Sequence, residues 1–158
     1  MIHFAAESGN PEVLQLFMNQ NIDELSWDGT PLAIAAKKGH NDACQLLLEN
    51  KCNPNLPNDF GEYPILLAAQ NGNLELLKQL VEHGANINQK NRKSQTPLSL
   101  ALAGNFTDCI CYLLDNKANS AGLSDSLIGF AIRMNNSELL CYLAQDPKKL
   151  NEKDSEGI

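Results

Sequence analysis

The side chains best able to do chemistry in this sequence include three histidines, His3, His40 and His83. A histidine can bind zinc, or can act as a general acid and base when a second ionisable group lies within hydrogen-bond reach. The three histidines are far apart in the sequence, and the repeat described below places each in a different repeat, where it has a structural explanation. The sequence therefore predicts no metal site and no catalytic histidine.

The five cysteines are the second set of candidates, because a thiolate can act as a nucleophile or bind a metal. Their odd number excludes a complete set of internal disulfides, and Cys109 and Cys111 are separated by one residue rather than by the two of a Cys-x-x-Cys zinc motif. Cys44 and Cys109 fall where other repeats carry Leu or Ile, which indicates buried thiols that pack as small apolar groups. We expect a protein of a reducing compartment, the cytoplasm, without a cofactor.

Carboxylates also recur at regular places, at Glu12, Asp42, Glu75, Asp108 and Glu138. Paired carboxylates could serve as a general acid and base. Each of these residues, however, falls at the start of a predicted helix, where negative charge interacts favourably with the helix dipole. Helix electrostatics is the better explanation, and we predict no catalytic residue.

Charge and hydropathy exclude further classes of function. The chain of 158 residues carries a formal net charge of −7, and its longest basic stretch, Lys90, Arg92 and Lys93, is local. Binding to nucleic acid needs a continuous basic surface, so we expect no nucleic acid partner. No apolar run approaches the roughly eighteen residues that cross a bilayer, and no glycine-rich phosphate loop is present. We therefore expect no membrane insertion and no small-molecule substrate.

The strongest signal in the sequence is a repeat. A Thr-Pro-Leu motif and its variants recur at intervals of 33, 33 and 30 residues, as Thr30-Pro31-Leu32, Tyr63-Pro64-Ile65, Thr96-Pro97-Leu98 and Ser126-Leu127-Ile128. A stretch of small residues follows each motif, and then a turn residue: Gly39, Gly72, Asn105 or Asn135. A second apolar segment with helical spacing comes next. The pattern predicts pairs of helices, a first and a second helix in each repeat.

Each residue of the repeat has a physical reason. The hydroxyls of Thr30 and Thr96 can cap a helix N-terminus, and the proline that follows suits the first helical position. Gly39 and Gly72 can end the first helix in a left-handed conformation, for which asparagine is the best-tolerated substitute. One helix pair cannot bury its own apolar face, so several pairs must stack.

On these motifs the sequence resembles the ankyrin-repeat family. Thr30-Pro31-Leu32-Ala33-Ile34-Ala35 matches the family signature Thr-Pro-Leu-His-x-Ala, with Ala33 in place of the histidine, and Gly39-His40 and Gly84-Ala85-Asn86-Ile87-Asn88 match two further segments. The resemblance implies an all-α solenoid of five stacked helix-turn-helix repeats with short hairpin fingers, as one domain. The repeats would span approximately residues 1–29, 30–62, 63–95, 96–125 and 126–158.

Two departures from the family pattern bear on the fold. The connections before Thr30 and Ser126 are three residues shorter than the others, so we expect irregular fingers there. The chain begins and ends inside the repeat, and terminal repeats normally carry a polar outer face. We therefore also expect a fragment of a longer protein.

The resemblance implies a binding surface on the concave side, formed by the fingers and the exposed face of each first helix. Projected onto this sequence, it predicts these partner-binding residues: Trp27, Lys37, Lys38, Phe60, Glu62, Gln70, Asn71, Arg92, Lys93, Leu123, Arg133 and Met134. Trp27, the only tryptophan, and Phe60 are the predicted aromatic anchors. Basic residues on this side favour a partner with an apolar anchor flanked by acidic residues.

The resemblance also implies a modification. Hairpin asparagines of ankyrin repeats can be hydroxylated by an asparaginyl hydroxylase. Asn88 is the best match, with Leu80 eight residues before it and Ile87 adjacent, although Asn86 stands where the usual acid would be.

These observations favour a monomeric module that binds another protein and has no enzymatic activity. Two alternatives stay open. The chain could be the recruiting arm of a larger enzyme, or of a bacterial effector delivered into a host cell, whose catalytic part is not in this sequence. It could also be a spacer that associates with further copies of itself.

Overall fold

The computed structural model describes residues 1–120 and 127–145, and this part of the chain contains ten α-helices and no β-strand. The helices are α1 (Ile2–Ser8), α2 (Pro11–Gln15), α3 (Pro31–Lys38), α4 (Asn41–Glu49), α5 (Pro64–Gln70), α6 (Leu74–Glu82), α7 (Pro97–Ala103), α8 (Thr107–Asp115), α9 (Leu127–Arg133) and α10 (Ser137–Gln145). They form five consecutive pairs, which confirms the all-α prediction. No helix in these residues is long and apolar enough to cross a bilayer.

The predicted helix ends are confirmed. The Thr30 hydroxyl accepts a hydrogen bond from the Ala33 amide (3.2 Å) and thereby caps α3, and Thr96 caps α7 in the same way. Gly39 follows α3 with a φ of 77°, in the left-handed region. Asn105 adopts the same conformation after α7, with a φ of 55°, so asparagine does replace glycine at this turn.

The helix pairs stack in two layers. The first helices α1, α3, α5 and α7 contact one another in order, and the second helices α2, α4, α6, α8 and α10 form the other layer. Alanines such as Ala35, Ala68 and Ala101 are fully buried between first helices. Their small side chains let successive helices approach closely, and leucines of the second helices complete the core.

Side-chain hydrogen bonds link the connections of successive repeats. A carboxylate or amide oxygen accepts from the backbone N–H of the next connection at three junctions: Asp23 from Asn53 (2.9 Å), Asn55 from Asn86 (2.8 Å) and Asn88 from Asn119 (2.7 Å). We call these bonds the three rungs. Each rung gives a hydrogen-bond partner to a backbone N–H group that lies outside the helices.

The first repeat departs from the others. Helix α2 has five residues, whereas α4, α6 and α8 have nine each, and a series of turns continues from its end to Gln20. Phe4 and Leu16 are 73% and 74% exposed at this end of the stack, whereas their counterparts Ile34 and Leu46 lie against the preceding helix pair. The described stack therefore begins with an apolar face rather than a polar one.

The second expected irregularity, before Ser126, falls in residues 121–126, outside the described residues. The fifth helix pair nevertheless forms without a proline at its start. Leu127 is the first residue of α9, and the Asn136 side chain caps α10 by accepting from the Leu139 amide. The repeat limits and the expectation of a longer chain stay predictions.

Candidate partner-binding surface

Three fingers are described, and we name them by their residues. The first finger is Ser26–Gly29, the second is Asn58–Glu62, and the third is Asn91–Gln95. Each precedes the first helix of its repeat and ends the connection from the second helix before it.

One asparagine side chain holds the second finger closed. The Asn58 carbonyl oxygen accepts from the backbone N–H groups of Phe60 (3.0 Å) and Glu62 (2.9 Å), and its amide donates to the Glu62 carboxylate (2.9 Å). Gly61 supplies the left-handed residue of the turn, with a φ of 76°. Asn58 is only 4% exposed, so this lock is shielded from water.

The third finger repeats this lock in the same register. Asn91 accepts from the backbone N–H groups of Lys93 (2.9 Å) and Gln95 (3.0 Å) and donates to the Gln95 side chain (2.9 Å). Ser94 takes the left-handed position, with a φ of 60°. The two fingers therefore present Phe60 and Lys93 at equivalent places.

The first finger is built differently. Ser26 and Gly29 exchange two backbone hydrogen bonds of 3.0 Å, which leaves a two-residue turn of Trp27 and Asp28. Trp27 is 78% exposed at this turn, so its ring does not fold back onto the stack. The shortening that the sequence predicted before Thr30 is thus confirmed.

A cleft of about 650 Å³ lies on the concave side at the second and third fingers. Six predicted partner-binding residues line it: Lys37, Phe60, Glu62, Gln70, Arg92 and Lys93. Asn91, Gln95 and Leu100 complete the lining. The size is that of an ordinary ligand or peptide site.

The basic residues at this surface fall into two groups. Lys37 pairs with Asp28 of the first finger (3.0 Å), and Lys38 pairs with Glu7 of α1 (3.1 Å). Arg92 and Lys93 make no ion pair with any described residue. Their charges are therefore available to an acidic partner.

Arg92 lies across the tip of the second finger. A Cβ atom at Gly61 would lie 2.9 Å from the Arg92 Cγ and 3.0 Å from its Nε, so the absence of a side chain at Gly61 makes room for the arginine. The arginine of the third finger therefore lies against the second finger.

The remaining predicted residues lie outside the cleft lining. Trp27, Lys38 and Asn71 are exposed, and so are Arg133 and Met134 at the end of α9. The Arg133 guanidinium lies 6.0 Å from the centroid of the Phe130 ring. Leu123 falls outside the described residues.

Three cleft residues were missed by the sequence reasoning. Asn91 and Gln95 belong to the lock of the third finger, and Leu100 comes from α7. A signal for the locks was present, because an asparagine followed four residues later by Glu or Gln recurs at Asn58 and Asn91. Nothing in the sequence distinguishes Leu100 from the buried leucine of the equivalent position in α5.

Each histidine makes a hydrogen bond to a backbone carbonyl. A ring N–H of His3 donates to the Glu24 carbonyl (2.7 Å), and one of His40 donates to the Glu7 carbonyl (3.0 Å). His83 donates to the Gln79 carbonyl within its own turn (2.8 Å). Within residues 1–120 and 127–145, no three His, Cys, Asp or Glu side chains converge as a metal site would require.

Three buried cysteines have raised thiol pKa values. Burial raises the pKa of Cys44 far above that of an ordinary thiol, and it raises the pKa of Cys52 to about 12, to which the nearby Asp23 also contributes. Burial likewise raises the pKa of Cys109. Burial thus disfavours, at all three positions, the thiolate that a nucleophile requires.

Asn88, the residue singled out for hydroxylation, forms the third rung. Its side-chain oxygen accepts from Asn119, and its own N–H donates to the Asn86 side chain (3.0 Å). The residue is exposed, and its hydroxylation stays a prediction.

Comparison with known proteins identifies the repeat. A family model described as ankyrin repeats in three copies matches residues 2–91, 32–123 and 65–154. Protein phosphatase 1 regulatory subunit 12A of Mus musculus is 38% identical over 64 residues, which are 39% of this chain and 6% of that protein, and its Rattus norvegicus counterpart matches equally. The chain thus spans only a small part of the length of these relatives. Motifs, stacked helix pairs and the family match agree, and the chain belongs to the ankyrin-repeat family.

Proposed function

We propose that this chain is a non-catalytic module that binds another protein through its concave surface, with the cleft at the second and third fingers as the centre of the contact. The observation that carries the proposal is the convergence of six independently predicted residues on one cleft. Ankyrin repeats generally mediate protein–protein interaction, and a relative of part of the chain is named a regulatory subunit, which supports the class of function.

The chemistry of the surface suits a protein partner. Phe60 is 59% exposed on the second finger, and Trp27 is more exposed still on the first. Aromatic side chains of this kind commonly contribute about 2 kcal/mol or more when a partner buries them. The locked fingers also present their side chains with little conformational freedom left to lose on binding.

Affinity capture from cell lysate tests the proposal. The wild-type chain is compared with the double variant Trp27→Ala/Phe60→Ala, and bound proteins are identified by mass spectrometry. We expect a discrete partner that the wild type retains and the double variant loses.

Leu16→Ala is the matched control, because it removes a similarly exposed apolar side chain from the residue that follows α2, in the other helix layer. Circular dichroism establishes that all three proteins are equally folded. Retention of the same partner by the double variant would place the contact elsewhere and contradict the proposal.

We also propose that the module is monomeric. Light scattering across a range of protein concentrations checks this, and a mass that rises with concentration would favour the self-associating spacer instead.

A further inference from the structure

The cleft lining has an apolar part and a charged part. Phe60 of the second finger and Leu100 of α7 are its apolar side chains, and neither is fully buried by the fold. Lys37, Arg92 and Lys93 are its cations, and Glu62 is its single carboxylate. A large apolar side chain of a partner would thus contact two apolar residues with basic groups beside them.

The charges of the lining are not equally available. Lys37 is engaged by Asp28, and the Glu62 carboxylate accepts from the Asn58 amide. The amides of Asn91 and Gln95 are bonded to each other. Arg92 and Lys93 are therefore the cations of the lining that have no ion partner among the described residues, and the Arg92 side chain lies against Gly61.

The positive cleft stands out against the chain as a whole. The formal net charge of −7 repels nucleic acid and any extensive acidic surface at long range. Within the cleft, a short acidic segment can pair with Arg92 and Lys93 without approaching most of the acidic residues. A planar guanidinium suits a carboxylate, to which it can donate two parallel hydrogen bonds.

We infer that the cleft at the second and third fingers binds an extended acidic segment of a partner protein, with a large apolar side chain against Phe60 and Leu100 and a carboxylate at Arg92 and Lys93. This inference rests on the proposed function and specifies the chemistry of the partner. It assigns the attraction of an acidic partner to Arg92 and Lys93 of the third finger, because Lys37 and Lys38 already have carboxylate partners within the chain.

The test is selection from a displayed library of random twelve-residue peptides on the immobilised full chain, followed by fluorescence anisotropy of the enriched peptides. We expect enriched sequences to carry a large apolar residue with Asp or Glu within a few positions. Removing both charges with Arg92→Gln/Lys93→Gln is expected to weaken binding about tenfold or more, and the wild-type affinity is expected to fall with added salt.

The matched control is Lys51→Gln/Lys117→Gln, which removes the same charge from exposed turns that follow α4 and α8. We expect a change of less than about twofold, since charges remote from the cleft are screened. Phe60→Ala, which leaves the Asn58 lock in place, should weaken the same peptides about tenfold.

Enriched peptides without acidic residues would overturn the inference. So would equal loss in the two charge variants, or a failure to enrich any peptide. These outcomes would not contradict the proposed function, which the lysate experiment tests separately. If the Trp27→Ala/Phe60→Ala variant loses a partner while no acidic peptide binds, the partner binds this surface through a folded region of different chemistry.

Discussion

The first finger and the two that follow reach a similar place on the stack by different means. The first is a two-residue turn closed by backbone hydrogen bonds between Ser26 and Gly29. The second and third are longer and are also closed by backbone hydrogen bonds, and to these each adds one asparagine, Asn58 or Asn91, whose side chain makes three more. The charges follow the same division, because Lys37 is paired with Asp28 of the first finger whereas Arg92 of the third has no ion partner among the described residues.

This difference shows how finger length affects the binding surface. The first finger makes one side-chain hydrogen bond of its own, from the Ser26 hydroxyl to the Gly29 carbonyl (3.0 Å), and it packs against the second finger, since a Cβ at Gly29 would lie 2.7 Å from the Asn58 Cβ. The longer fingers hold their own shape and can present side chains to a partner. The first finger therefore packs closely on the second, and under the proposed function the second and third fingers provide the centre of the contact.

The largest expected effect comes from Gly29→Ala. Gly29 has a φ of 113°, which is strained for any other residue, and the new Cβ would also press on the Asn58 backbone at 3.1 Å. Strain and overpacking together should lower the free energy of unfolding by about 2–4 kcal/mol. Urea unfolding followed by circular dichroism measures it. A loss no larger than that of Gly39→Ala, where a Cβ meets nothing within 4 Å, would show that the first finger is not packed as described.

Removal of the second lock should have the next largest effect. Asn58→Ala leaves the amides of Phe60 and Glu62 without a partner, and we expect the free energy of unfolding to fall by about 2–3 kcal/mol. The equivalent Asn91→Ala should cost somewhat less, because Asn91 is less buried. Ser26→Ala is the control in the first finger, where one side-chain hydrogen bond of 3.0 Å is lost. Equal costs at all three positions in urea unfolding would contradict the distinction between the fingers.

A smaller effect is expected for Gly61→Ala. Its φ of 76° costs an alanine about 1 kcal/mol, and the neighbour that must move is the flexible stem of Arg92 rather than backbone. The displaced arginine should weaken an acidic peptide several-fold, although the loss of stability is small. Anisotropy with a peptide from the selection checks this, and affinity equal to that of the wild type would show that the position of Arg92 is unimportant.

The smallest effect is expected for Lys37→Ala. The pair with Asp28 is at the surface, and such pairs stabilise proteins by about 0–1 kcal/mol. Thermal unfolding in low and high salt measures the contribution, which should disappear at high salt. A loss above 2 kcal/mol that persists in salt would mean that the first finger depends on this pair far more than its exposure suggests.

The helices of this chain were predictable because their signals are local. Thr30, Pro31 and Gly39 specify the start and end of α3 through bonds and backbone angles that involve only neighbouring residues. The positions of Phe60 and Trp27 at finger turns followed from their spacing to the next proline.

The details of the cleft could not be predicted from the sequence in the same way. The position of Arg92 depends on Gly61, thirty-one residues earlier, and the pairing of Lys37 with Asp28 depends on the shape of a turn. The sequence shows the Asn58 pattern a second time at Asn91. A polar residue in a loop can have many roles, however, and only the hydrogen bonds show that this asparagine closes the finger. Leu100 contributes because of the packing around it rather than because of its type.

The three rungs have a mechanical consequence. The side-chain oxygens of Asp23, Asn55 and Asn88 each accept from the next connection, and the Asn55 amide also donates to the Gly84 carbonyl (3.0 Å), so both groups of one side-chain amide hold the middle junction. The Asn55 rung joins the connections that lead into the second and third fingers, the two fingers that line the cleft, so separating these fingers would strain the Asn55 rung.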